Sequence, residues 1–113
     1  MSPGRRHPPT PSAEVFALHA QFCKVFSNPT RLRVMWELQQ GERTVTDLAD
    51  GIGVSLANLS QHLRVMRTIG VVTVRREGQS LHYRAASPHF FAGCKRIRQG
   101  IMEVVARQPR LRK

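Results

Sequence analysis

At 113 residues the chain has room for one domain with a modest core. Eighteen Lys+Arg stand against seven Asp+Glu, a formal charge of +11, which favours a polyanionic partner by raising encounter rate and non-specific affinity. No apolar run approaches the roughly 20 residues a bilayer-spanning helix needs, and Arg5 and Arg6 precede no hydrophobic segment; a cytoplasmic protein with no membrane partner is expected.

The opening "MSPGRRHPPTPS" is proline-rich and almost free of apolar side chains, so residues 1–12 read as a disordered basic arm. A helix is expected from about Ala13 to Phe26, with Val15, Leu18, Phe22 and Val25 along one stripe. In "SNPTRL", Asn28 is a good N-cap and Pro29 suits the first helical position. The second helix should run to about Gln40, burying Leu32, Met35, Trp36 and Leu38, and stop at Gly41. Thr44 with Asp47 three positions on resembles a capping box and opens a short third helix, "VTDLADGI". The glycines of "GIGV" supply a tight turn, and Ser55 caps a fourth helix that ends at Gly70.

In "VVTVRREGQSLHYRA" the period changes. Val72 and Val74 alternate with Thr73 and Arg75, and Leu81 and Tyr83 alternate with His82 and Arg84. This is a β-hairpin with a tip at Glu77-Gly78-Gln79. Ser87 and Pro88 open a last helix whose Phe90, Cys94, Ile97, Ile101 and Val104/Val105 form an apolar seam. The order α-α-α-α-β-β-α is that of a winged helix-turn-helix, mainly α with a β-hairpin wing, spanning residues 13–106 and followed by a basic tail at 107–113.

The fourth helix carries the main functional signal. Leu59, Leu63 and Met66 face inward, whereas Ala57, Asn58, Ser60, Gln61 and Arg64 face out. Short amides, a hydroxyl and Arg are the side chains that read base edges in the major groove, and Ala can touch a thymine methyl. No Asp or Glu occurs from Val54 to Val74, so nothing on this helix repels phosphate. Ser55 puts a helix N-terminus where it can meet a phosphate. Arg75, Arg76, Gln79 and Arg84 place the wing on the flanking backbone or in the minor groove. His62 sits nearer the apolar stripe and reads as a packed, hydrogen-bonded residue. One reading helix per chain implies a homodimer on an inverted-repeat operator in double-stranded DNA. Phe16 in the first helix and Phe90, Cys94, Ile97 and Ile101 in the last form the expected dimer interface.

The segments "KVFSNPTRLRVMWEL", "VTDLADGIGVSLANLSQHLRVMRTIGVV" and "RREGQSLHYR", all in register, identify the chain as resembling the ArsR/SmtB family of bacterial repressors over about residues 14–106. The resemblance implies a homodimer paired through its first and last helices and released from DNA by an inducer, often a metal ion. Its metal sites carry over poorly. Thr44 and Thr46 occupy the positions of a Cys-x-Cys pair, and hydroxyls do not replace thiolates on soft metals. The zinc-site positions read Ser87, His89, Gly100 and Glu103, and the two ligands His89 and Glu103 argue against zinc.

Cys23 and Cys94 remain as candidate sensor residues. They form no C-x-x-C pair and are expected to rest as thiols in a reducing compartment. Two readings stand: thiol modification or soft-metal binding on one side, packing on the other, since Cys94 lies in the apolar seam. Lys24, Lys95 and Arg96 are expected to lower a thiol pKa. No cofactor is otherwise indicated. Among function classes, a sequence-reading repressor leads, and an architectural or RNA-binding winged helix that uses charge alone is the alternative. An enzyme has little support, with no Gly-rich phosphate loop, no His-x-x-x-His pair and only scattered carboxylates.

Overall fold

The computed structural model describes residues 8–111. Five α-helices and a three-stranded sheet follow in the order α1 (Ala13–Val25), α2 (Pro29–Leu38), β1 (Arg43–Thr44), α3 (Val45–Ile52), α4 (Leu56–Ile69), β2 (Val72–Glu77), β3 (Ser80–Ala85) and α5 (Pro88–Arg107), and a 3-10 turn closes at Pro109–Leu111. Most of the expected disordered arm (1–7) and the last two residues of the basic tail lie outside the described residues. The tail differs from expectation in that α5 takes in Arg107 and the 3-10 turn follows it.

Every helix start is written in its capping residue. The side chains of Ser12, Asn28, Thr44, Ser55 and Ser87 accept hydrogen bonds from the N–H groups of Val15, Arg31, Asp47, Asn58 and His89, each satisfying an otherwise unpaired donor. Gly53 and Gly70 end α3 and α4 in the left-handed conformation, at φ 83° and 96°, where a Cβ would be strained. The hairpin pairs Glu77 with Ser80, so its tip is the two-residue turn Gly78–Gln79. Positive φ only at Gly78 (63°) is the type II′ pattern. The expected hairpin thus gains a third member: β1 pairs with β3 through Arg43 and Tyr83, and Thr44 and His82, giving the sheet order β1-β3-β2. A two-residue strand carries too little periodicity to be read from sequence.

The core lies between α2, α3, α4 and the sheet. Val34, Met35 and Leu38 meet Leu48, Leu59, Leu63, Met66, Val71, Val72 and Tyr83, with Val25 closing one end. Two expectations about α2 are corrected here. Leu32 and Trp36 are 40% and 49% exposed rather than buried, while Val34 is fully buried. The stripe of α1 likewise buries only Val25, with Val15 and Leu18 exposed. The reason is common to both. On α2, Leu32 lines the hollow between α1 and α5 and Trp36 stands against Arg98 of α5, while α1 and α5 themselves lie at the edge of the core. None of the residues of α5 is buried. The Cα radius of gyration is accordingly 17.5 Å, against about 13 Å for a compact chain of this size.

Candidate nucleic-acid interface

On α4 the inward stripe is complete, with Leu59, Leu63 and Met66 buried to within 1% of full. The opposite face shows Ala57, Asn58, Ser60, Gln61 and Arg64, all exposed. Leu56, in the first turn, is also exposed and extends this surface with an apolar group that the sequence reading passed over. The helix cannot rotate to hide these groups, because turning it would withdraw three fully buried side chains from the core. A second anchor fixes it from the side. Arg31 of α2 donates from Nε to His62 Nδ1 at 3.2 Å and from Nη1 to the carbonyl of Val25 at 3.5 Å. His62 is half-buried and accepts this bond through Nδ1. The expectation of a packed, hydrogen-bonded histidine holds.

The wing arranges its arginines unequally. Arg76, Gln79 and Arg84 are exposed. Arg75 is engaged: its Nε lies 3.0 Å from both carboxylate oxygens of Glu42, its Nη2 2.8 Å from Glu42 Oε1, and its Nη1 2.8 Å from Glu77 Oε2. His82 sits 3.8 Å from each of the same carboxylates. Hydrogen bonds from Arg75 are the main reason both Glu42 and Glu77 are held below the ordinary carboxylate pKa, and these bonds raise that of Arg75 in turn. Arg75 is therefore not the free cation that its place in the sequence suggests, and Glu42, Glu77 and His82 join it at the site without a local sequence signal. Glu42 is 33 positions from Arg75, so only the register of the short strand β1 brings them together.

A second feature lies at the other end of the molecule, where α1 and α5 enclose a largely apolar cavity of about 440 Å³. Phe22, Phe26 and Phe90 form its floor, with Phe90 stacked 5.9 Å from Phe22 and tilted 5.9 Å from Phe26. Phe90 therefore packs within the chain. Cys23 and Cys94 both line the cavity, as do His19 and His89, and both cysteines are free thiols. Burial pushes the Cys94 thiol pKa up, with Arg98 acting against it. For Cys94 this runs against the expectation that Lys24, Lys95 and Arg96 lower a thiol pKa: lost hydration is the largest cause, and the cation opposing it is Arg98. Glu103 does not share this cavity with His89; it lines a separate surface hollow beside Trp36 and Arg98. Among the described residues, no three of His, Cys, Asp or Glu come together as metal ligands.

The seam of α5 that lines one side of the cavity is open. Ile97 and Ile101 of α5 are 63% and 52% exposed, and Phe16 of α1, Met102 and Val104 are exposed with them. Trp36 stands beside this surface, its ring 5.2 Å from the guanidinium carbon of Arg98, a cation–π distance. Among the described residues, no helix is long and apolar enough to cross a membrane.

A family profile described as a helix-turn-helix domain matches residues 26–75. The chain is 37% identical over 78 residues to an uncharacterised HTH-type transcriptional regulator of Mycobacterium tuberculosis, Rv0081, covering 68% of each chain. The crystal structure of Rv0081 superimposes with a TM-score of 0.75 at 32% identity, over 86% of this chain and 98% of that one. The HTH-type transcriptional repressor SmtB of M. tuberculosis is 30% identical over 82 residues, 73% of this chain and 61% of its own. The homodimeric winged helix-turn-helix DNA-binding domain Mb0332 of Mycobacterium bovis, in its solution structure, has a TM-score of 0.72 and 31% identity, over 80% of this chain and 87% of that one.

Proposed function

This chain belongs to the ArsR/SmtB family of winged helix-turn-helix transcriptional regulators, and from that membership we propose how it reads DNA and how it is released. It is a dimeric DNA-binding repressor. The observation that carries the reading mechanism is the exposed, acid-free face of α4 standing on three buried side chains. Asn58 and Gln61 pair with adenine edges, Ser60 bonds either base type, Ala57 packs on a thymine methyl, and Arg64 takes guanine or the adjoining phosphate. Ser55 directs the helix N-terminus at a phosphate, and Arg76, Gln79 and Arg84 bind the flanking backbone. Two copies related by a two-fold axis present two such helices, so the operator is an inverted repeat.

The test is binding by the full chain to a duplex it has itself selected from a randomised pool, compared with a scrambled duplex. Gln61→Ala should narrow the gap between the two duplexes, and Arg76→Ala should weaken both alike and flatten the salt dependence. Identical behaviour of the two variants on both duplexes would leave a charge-only binder, architectural or RNA-directed, as the better description.

Release is assigned to the thiols of the α1–α5 cavity. Cys23 is exposed and Cys94 half-buried, so an oxidant reaches Cys23 first. With hydrogen peroxide, the two thiols give a disulfide, their two protons and two electrons reducing the peroxide to two molecules of water. The bond would join α1 to α5 beside the open seam and so shift the spacing of the two reading helices. Release should be measured with peroxide, a persulfide donor, arsenite and zinc, on wild type and on Cys23→Ser/Cys94→Ser. Release that persists in the double variant removes the cysteines from the switch.

A further inference from the structure

Glu42 stands at a joint. It follows α2 and immediately precedes β1, whose Thr44 caps α3, so it belongs to the segment that launches the helix-turn-helix. Arg75 belongs to β2, on the far side of the sheet order β1-β3-β2. Between them lies His82 of β3, paired with Thr44 on one side and Arg75 on the other. The Arg75 side chain therefore crosses the whole width of the sheet to reach Glu42. Among the described residues, the wing also meets that segment through the two-residue pairing of β1 with β3 and through His82, 3.8 Å from Glu42.

The chemistry of this contact does not suit a phosphate ligand. All three guanidinium nitrogens of Arg75 already meet carboxylate oxygens at 2.8 to 3.0 Å. Two carboxylates occupy the donors of one guanidinium, with Arg84 lining the same hollow, so a phosphate at Arg75 would have to displace carboxylates already bonded there. The contact to Glu42 is forked, a geometry that fixes direction as well as distance. Arg76 and Arg84 are exposed on either side and have no hydrogen-bonded carboxylate among the described residues.

Resting on the DNA-binding reading above, we propose that Arg75 is a positioning residue for DNA recognition. It holds the wing against the entry to α3 through Glu42 and so sets the wing's place relative to α4, while phosphate contact falls to Arg76 and Arg84. Glu42, an acidic residue in a basic protein, then favours DNA binding.

That sign is the test. Affinity of the full chain for its selected duplex is measured over a salt series for Glu42→Gln, Arg75→Ala, Arg76→Ala and the exchanged pair Glu42→Arg/Arg75→Glu, with thermal unfolding of each variant recorded alongside. Glu42→Gln should weaken binding by roughly tenfold, about the loss of one charge-assisted contact, although it removes a negative charge. The exchanged pair should recover most of that loss. Arg76→Ala should lower the salt slope by about 0.9, one phosphate's worth, and Glu42→Gln should leave the slope unchanged. The proposal is overturned if Glu42→Gln binds as tightly as wild type or tighter, or if the exchanged pair is weaker than either single variant, since both are what a direct Arg75–phosphate contact requires. A wild-type protein that selects no duplex would instead overturn the DNA-binding reading itself.

Discussion

Gln61 and Leu63 lie two positions apart on α4 and answer to opposite demands. Leu63 is 1% exposed in a core that has few alternatives for filling its space, so Leu63→Ala should destabilise the fold by about 2–5 kcal/mol. Chemical denaturation checks this, and DNA affinity should fall only as far as the folded fraction falls. Gln61 is exposed and makes no contact on which the core depends. Gln61→Ala should therefore leave the unfolding midpoint within about 0.5 kcal/mol of wild type. It should cost about 1–3 kcal/mol in discrimination between the selected and scrambled duplexes. A Gln61 variant that lost stability and kept its selectivity would show that this face supports the helix rather than reading bases.

At the scale of elements, the wing is held by an ionic cluster whose response to acid follows from its pKa directions. Glu42 and Glu77 are both depressed below their ordinary value of 4.5, chiefly by hydrogen bonds from Arg75. A depressed carboxylate stabilises the folded form above its unfolded pKa and loses that contribution as the pH falls through its folded one. Hydrogen exchange in β2 and β3, corrected for its intrinsic pH dependence, should thus be steady from neutral down to about the ordinary carboxylate range and speed up in more acid solution. Glu42→Gln should remove most of that acid step. Helices and hairpin were legible in the sequence because their signals are local: Asn28-Pro29, Thr44 with Asp47, Ser55, Gly70 and Ser87-Pro88 each act within a turn of chain. The exposed face of α4 was legible for the same reason. The Arg75–Glu42 tie was not, because it depends on a two-residue strand pairing across a long loop of sequence. Nor was the exposure of Leu32 and Trp36, since periodicity marks an apolar face without saying whether its partner lies in the same chain.

For the whole molecule, those misread residues and the open seam of α5 belong to one problem. Phe16, Trp36, Ile97, Ile101 and Met102 are all exposed on a chain that carries a formal +11. Two such chains repel one another, yet repressor function needs them paired. The apolar surface must overcome the repulsion, and the two forces respond oppositely to salt: screening weakens repulsion between like charges and leaves apolar burial in place. Raising salt should therefore tighten the dimer, measured by sedimentation, while it loosens DNA with the negative slope of counterion release. Ile97→Glu/Ile101→Glu should abolish pairing without unfolding the chain, because neither residue belongs to its core. The monomer's circular dichroism should stay helical, and the emission of Trp36, the only tryptophan, should report the loss of its partner. Its affinity for the selected duplex should fall by about 10³ or more, to that of scrambled DNA, because one reading helix at one half-site lacks the second contact that makes the operator distinct. A variant that stayed dimeric would move the interface off α5, and one that became monomeric yet kept full affinity would show that a single α4 and wing suffice for recognition.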